Sequence, residues 1–185
     1  MRIKRLVMIW VLLMVAGVFT AGCTYAAFQQ TQRDDANVPA AMAAKRALSE
    51  MDMGKSPQDA LPALTNGVET ITPFVLIYDN SRNLVASSLT CDTGFAYPTG
   101  CFDQMDKNSN GEYRVTWQPS GGLRFATVGV KYTDGYVVGA YSLEESEANS
   151  SRFFLLLVIG SAVYAAVMAG AMTLFGMYFE RNVKD

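Results

Sequence analysis

The stretch Tyr113-Arg114-Val115-Thr116-Trp117-Gln118, followed by Pro119-Ser120-Gly121-Gly122 and then Leu123-Arg124-Phe125-Ala126-Thr127-Val128-Gly129-Val130-Lys131-Tyr132, decides the fold. Tyr113, Val115 and Trp117 alternate with Arg114, Thr116 and Gln118, the period-two signature of a strand with one buried face. Pro119 to Gly122 turns the chain. Leu123 to Tyr132 reads as the longest strand, with Phe125, Thr127, Gly129 and Lys131 on one side. Thr133-Asp134-Gly135 turns it again, and Tyr136 to Tyr141 completes a three-strand meander.

Upstream, Phe74-Val75-Leu76-Ile77-Tyr78 is a buried-strand run. Asn80 to Asn83 is a turn, and Leu84 to Ser88 is the hairpin partner. A short helix is expected near Phe102 to Lys107, and another over Gln58 to Leu61 behind Ser56-Pro57. Pro39 to Met53 reads as a helix, with Ala41, Ala44, Leu48 and Met51 on one side and Gly54 as its stop; Pro39 is expected to break or restart the chain's first helix. Ser142-Leu143-Glu144-Glu145 matches a capping box that opens the last helix. The order predicts an α+β fold, a five-stranded antiparallel sheet with an N-terminal helix.

Outward from this domain the composition changes. Leu6 to Phe28 and Phe153 to Phe179 carry no charge, and each is long enough to cross a bilayer core of about 30 Å. Arg2, Lys4 and Arg5 precede the first run, and Arg181 and Lys184 follow the second. The positive-inside rule then keeps both ends cytoplasmic and the middle outside, in the plasma (inner) membrane. The expected organisation is a cytoplasmic N-terminus (1–5), a first span (6–28), an extracytoplasmic domain (29–152), a second span (153–179) and a cytoplasmic tail (180–185). A second reading of the first run is a signal peptide, because Phe19-Thr20-Ala21-Gly22-Cys23 resembles a lipoprotein cleavage box with Cys23 as the lipidated residue. Against it, Thr20 stands where Leu is usual, and the apolar run continues beyond Cys23. Gly17 and Ala21 in the first run, and Ala162, Ala166 and Gly170 in the second, place small residues at four-residue spacing, a pattern for packing between the two helices or in a homodimer.

The 15 Lys+Arg and 17 Asp+Glu nearly balance, and the acids outnumber the bases in the middle segment, so no nucleic-acid partner is expected. There is no histidine, which removes the commonest general base and metal ligand. No nucleophile elbow, P-loop or dinucleotide fingerprint is present. Asp106 to Gly111 matches the first half of a calcium loop, but Trp117 stands where the bidentate Glu belongs. No catalytic residue, metal or cofactor is expected.

Two constellations remain. Cys91 and Cys101, in a compartment that permits disulfides, would close a loop of about ten residues and stabilise it by about 2–3 kcal/mol; separate thiols or a redox pair are the alternatives. Arg124 could meet a ligand carboxylate while Trp117 and Tyr113 form an aromatic wall. The plainer alternative makes the two aromatics core and Arg124 a surface charge.

The opening hairpin (Pro73 to Asp79, Asn83 to Ser88) and the closing strands (Arg114 to Pro119, Leu123-Arg124, Gly135 to Leu143) resemble a Cache-type, PAS-like extracytoplasmic sensor domain. The layout is also similar to small bacterial two-pass membrane proteins. The resemblance implies a small organic ligand between the sheet and its covering loops, with displacement passed down the last helix. Only six residues follow Phe179, so the expected output is another chain. The expected function is a non-enzymatic sensing or ligand-binding module with a membrane-protein partner or as a homodimer; the alternative is an accessory subunit of a membrane complex.

Overall fold

A computed structural model describes residues 2–64, 72–89, 96–120 and 123–182. The elements are α1 (Arg2–Asp52), β1 (Phe74–Asp79), β2 (Leu84–Ser87), α2 (Thr99–Lys107), β3 (Glu112–Ser120), β4 (Leu123–Tyr132), β5 (Gly135–Ser142) and α3 (Glu144–Asn182). All five strands form one antiparallel sheet in the order β2-β1-β5-β4-β3. The fold is α+β, and α1 and α3 are each long and apolar enough to cross a membrane, with none of their apolar windows buried.

The chain divides into two compact units, one of residues 1–30 with 149–185 and one of residues 31–148. In the first, the long helices pack through aromatic rings: Phe28 stacks on Phe153 (4.2 Å between centroids) and Tyr25 tilts against Phe154 (5.4 Å). A Cβ on Gly17 would lie 3.2 Å from the Tyr164 ring, so this glycine does let α3 approach. The second small-residue stripe does not take part. Ala162 and Ala166 are exposed, and no atom lies within 4 Å of a Cβ built on Gly170. The α3 seam instead follows the half-buried Phe153, Leu157, Ser161 and Ala165. The hydroxyls of Thr20, Thr24 and Ser161 donate to the carbonyls of Ala16, Thr20 and Leu157 one turn back, which satisfies them inside an apolar helix.

In the second unit the sheet is covered on both faces. Ala36, Ala40, Ala44 and Ala47 of α1 are buried to 3% exposure or less and lie over one face with Val75, Ile77, Ala86 and Val137. Alanine at four-residue spacing lets a helix backbone come close, and Gly139 on β5 completes the fit. A Cβ there would be 3.0 Å from both the Ala40 carbonyl carbon and the Ala44 nitrogen. Strand β5 is central, paired with β1 from Phe74↔Ala140 to Asp79↔Gly135 and with β4 from Phe125↔Ser142 to Tyr132↔Gly135.

Four expectations need correction. Pro39 does not break α1, which continues through it to Asp52. One proline deletes a single intrahelical bond, and the alanine face on the sheet holds the turns on both sides of it. Gln58 to Leu61 forms one turn rather than a helix. Ser56 Oγ accepts from Asp59 N–H (3.3 Å), and Ala60 N–H donates to Ser56 C=O, but the pattern stops there. Helix α2 begins at Thr99, three residues before the expected start, behind Pro98. At the last helix, Ser142 Oγ accepts from Glu144 N–H (3.3 Å) rather than from Glu145 as a capping box would have it, and Leu143 C=O accepts the first helical bond, from Glu147.

Candidate functional site

The face of the sheet opposite α1 carries the chain's densest chemistry. Phe74, Leu76 and Tyr78 of β1, Trp117 of β3, Phe125 of β4 and Tyr136 of β5 all point toward it, with Tyr97, Cys101, Phe102 and Met105 from α2 and the segment before it. Alternation puts every second residue of each strand here. The rings meet edge-on: Tyr78 and Tyr97 each approach Phe102 (5.1 and 5.5 Å), and Tyr97 approaches Trp117 (5.5 Å). Such contacts add about 0.5–1.5 kcal/mol each beyond burial.

Polar groups thread this apolar layer. Tyr97 OH lies 3.2 Å from Thr127 Oγ1, and Thr127 donates to Val115 C=O (2.8 Å). Thr127 is fully buried. Burial pushes the Tyr78 phenol up to about 12, although its bond to the Tyr97 backbone opposes the rise. Burial raises Tyr97 as well, opposed by its bond to Thr127. Cys101 is a free, buried thiol beside Tyr97, and burial raises its pKa too. The layer is therefore neutral: phenols, a hydroxyl and a thiol, all protonated at pH 7.

Charge sits at the rim. Asp106 of α2 accepts from Lys131 Nζ (2.6 Å) and from Tyr136 OH (3.0 Å to Oδ1, 3.1 Å to Oδ2), with Arg82 Nη2 at 3.4 Å. Asp103, one turn earlier, pairs with the same Arg82 nitrogen at 2.6 Å. The Arg82 guanidinium also lies over the Phe102 ring, 5.7 Å from its centroid. Hydrogen bonds from Lys131 and Tyr136 hold the Asp106 carboxyl below the usual carboxylate range, and Asp106 in turn raises Lys131.

The expected ligand residues do not converge. Trp117 is buried in the aromatic layer, and Tyr113 packs half-buried against it. Arg124 lies on the other face, because its neighbours Leu123 and Phe125 both belong to the aromatic side. Its guanidinium pairs with Glu147 (2.5 Å) at the surface. Of the expected bridge, Cys101 is placed as above and Cys91 lies outside the described residues. Cys23 is exposed on α1. Among the described residues, no three His, Cys, Asp or Glu side chains stand together as a metal site would need.

The sequence reading passed over Tyr97 and Thr127. Thr127 had a visible signal, since it shares the Phe125 side. Tyr97 had none, because it comes from a segment without periodicity. Comparison of the chain with family models, curated proteins and solved structures found no match.

Proposed function

We propose that this protein is a non-enzymatic sensing or ligand-binding module, anchored by α1 and α3 as two membrane spans with both ends cytoplasmic, whose signal passes to a partner chain. The carrying observation is the neutral hydroxyl chain of Tyr97 and Thr127 inside an aromatic layer. A core needs no such chain for stability, since burying hydroxyls costs free energy that their hydrogen bonds only offset. The same groups suit a small uncharged ligand that offers a ring and one hydrogen-bonding group. The resemblance to Cache-type domains supports the reading, and so does the direct run of β5 into α3, with only Leu143 between them.

The test is a thermal-shift series on the full chain in detergent micelles, with phenol, indole and benzamide as neutral probes and benzoate as the charged counterpart. Binding at a hundredfold excess over Kd should stabilise the fold by about 2.7 kcal/mol. The neutral probes should raise Tm, and Tyr97→Phe should abolish the rise. If no probe shifts Tm, the sensing reading falls. The accessory-subunit reading then replaces it. Its own support is Val38 and Met42, exposed one turn apart on α1 at 54% and 68%.

A further inference from the structure

The aromatic layer is filled by the chain's own side chains, with Phe102 and Met105 of α2 at 1% and 0% exposure. From the side that α2 covers, a ligand reaches Tyr97 and Thr127 when α2 moves.

Helix α2 is poorly equipped to hold itself. It has nine residues, no side-chain cap at Pro98 and no acid in its first turn; an isolated helix of that length is marginal in water. Three buried side chains, Cys101, Phe102 and Met105, attach it to the sheet. Its remaining fastening is ionic and polar. Asp103 and Asp106 lie one turn apart, and their partners come from three places: Arg82 in the β1–β2 turn, Lys131 of β4 and Tyr136 of β5. Arg82 closes the β1–β2 turn, its N–H donating to Asp79 C=O while Asp79 N–H donates to Asn83 C=O. Arg82 has φ +66°, and it is the one non-glycine residue with positive φ among the described residues. Such a conformation costs about 1–3 kcal/mol and persists where surrounding contacts hold it. These contacts remain in reach of solvent, with the Arg82, Asp103, Asp106 and Lys131 side chains 32%, 51%, 32% and 43% exposed. Water and salt can therefore compete for them.

We propose that α2 is a latched lid over the aromatic layer, with the Asp103/Asp106–Arg82/Lys131/Tyr136 contacts as the latch. Its opening admits the neutral ligand, so the role of the lid rests on the sensing reading, whereas the latch itself does not.

Hydrogen exchange followed by mass spectrometry on the full chain in lipid nanodiscs tests the latch without any ligand. In Asp106→Asn the amides of residues 99–107 should exchange at least about tenfold faster, with β1 and β5 within about twofold of the parent chain. Lys131→Gln should act in the same direction more weakly, because Tyr136 and Arg82 still hold Asp106. Raising salt from about 0.05 to 0.5 M should speed residues 99–107 in the parent chain and much less in Asp106→Asn. No change at residues 99–107 in either variant overturns the latch, and so does an equal rise across α2, β1 and β5, which is global destabilisation. Local opening together with silent neutral probes keeps the latch and removes the sensing reading.

Discussion

Replacing Gly139 with alanine adds one methyl group where α1 rests on β5. Gly139 does not lie at positive φ, so alanine is accepted by the backbone, and any loss of stability is steric. The new Cβ would come within 3.0 Å of the Ala40 carbonyl carbon and the Ala44 nitrogen, and closer still to the Ala40 oxygen, where ordinary contact begins at 3.4 Å. Both neighbours are helix backbone and cannot rotate away. Helix α1 must lift, and a gap of about 0.5–1 Å forfeits a quarter to a half of the dispersion well for each atom pair along it. That gap would run under Ala36, Ala40, Ala44 and Ala47, four residues now in full contact. Overpacking of this kind costs about 1–3 kcal/mol, and the backbone-on-backbone clash places the value in the upper half. For a unit of this size, that lowers Tm by about 8–12 °C. Trp117 fluorescence in a Trp10→Phe background reports the transition, since these are the two tryptophans in the chain. Gly170→Ala is the control: no atom lies within 4 Å of its Cβ, so it should change stability by less than about 0.5 kcal/mol. If Gly139→Ala melts with the parent chain, α1 does not rest on β5 at this point.

Phe102→Ala removes a fully buried ring from beneath α2 and should cost about 3–5 kcal/mol in chemical denaturation; a loss under 1 kcal/mol would mean that α2 is not seated as described. Arg124→Ala breaks an ion pair whose partners are 39% and 45% exposed, so its cost should stay below about 1 kcal/mol, and a larger loss would give Arg124 a part the surface pair does not explain. The Tyr78 phenol is neutral in the fold up to about pH 12 but ionises near 10 once unfolded. Its contribution is fully present below pH 10 and is lost as pH rises toward 12, because the unfolded chain releases the proton first; Tm should fall over that window, and a phenolate absorbance band appearing at pH 10 without unfolding would refute the burial. Iodoacetamide at pH 8, after reduction, should alkylate Cys101 at least about tenfold more slowly in the folded chain than in denaturant, because burial both shields the thiol and raises its pKa. Equal rates by peptide mapping would place the thiol at the surface.

Strand positions were legible because β3 alternates with period two, β1 is a short continuous apolar run, and turn residues bound the strands. Leu123–Tyr132 appears as read, and the neighbouring strands extend one or two residues beyond the reading. The α1 turn around Pro39 was not legible. Proline's local penalty is visible in the sequence, whereas the sheet that compensates it is assembled from later segments, Val75 and Ile77 of β1, Ala86 of β2 and Val137 of β5. The candidate site shows the same division. Trp117 and Phe125 are register partners and share a face, whereas Arg124, next in sequence to Phe125, is turned away by the same alternation. Proximity along a hairpin carried the expectation, and parity decided against it. The rim contacts of Asp106 were unreadable for another reason: Arg82, Lys131 and Tyr136 come from three separate elements, and no spacing along the chain announces that they meet.

The central place of β5 also governs how the domain can be made. Strand β1 ends at Asp79 and its inner partner begins at Gly135, so during synthesis the first hairpin leaves the ribosome with one edge open while the intervening segment follows. Until β5 arrives, β1 is paired with β2 on one side only, and its other edge stays open. Such an edge is a template for pairing with other chains, and closing it late makes folding slow and nonlocal. A chain stopped before Gly135 therefore lacks the one strand that joins the β1–β2 and β3–β4 hairpins into a single sheet.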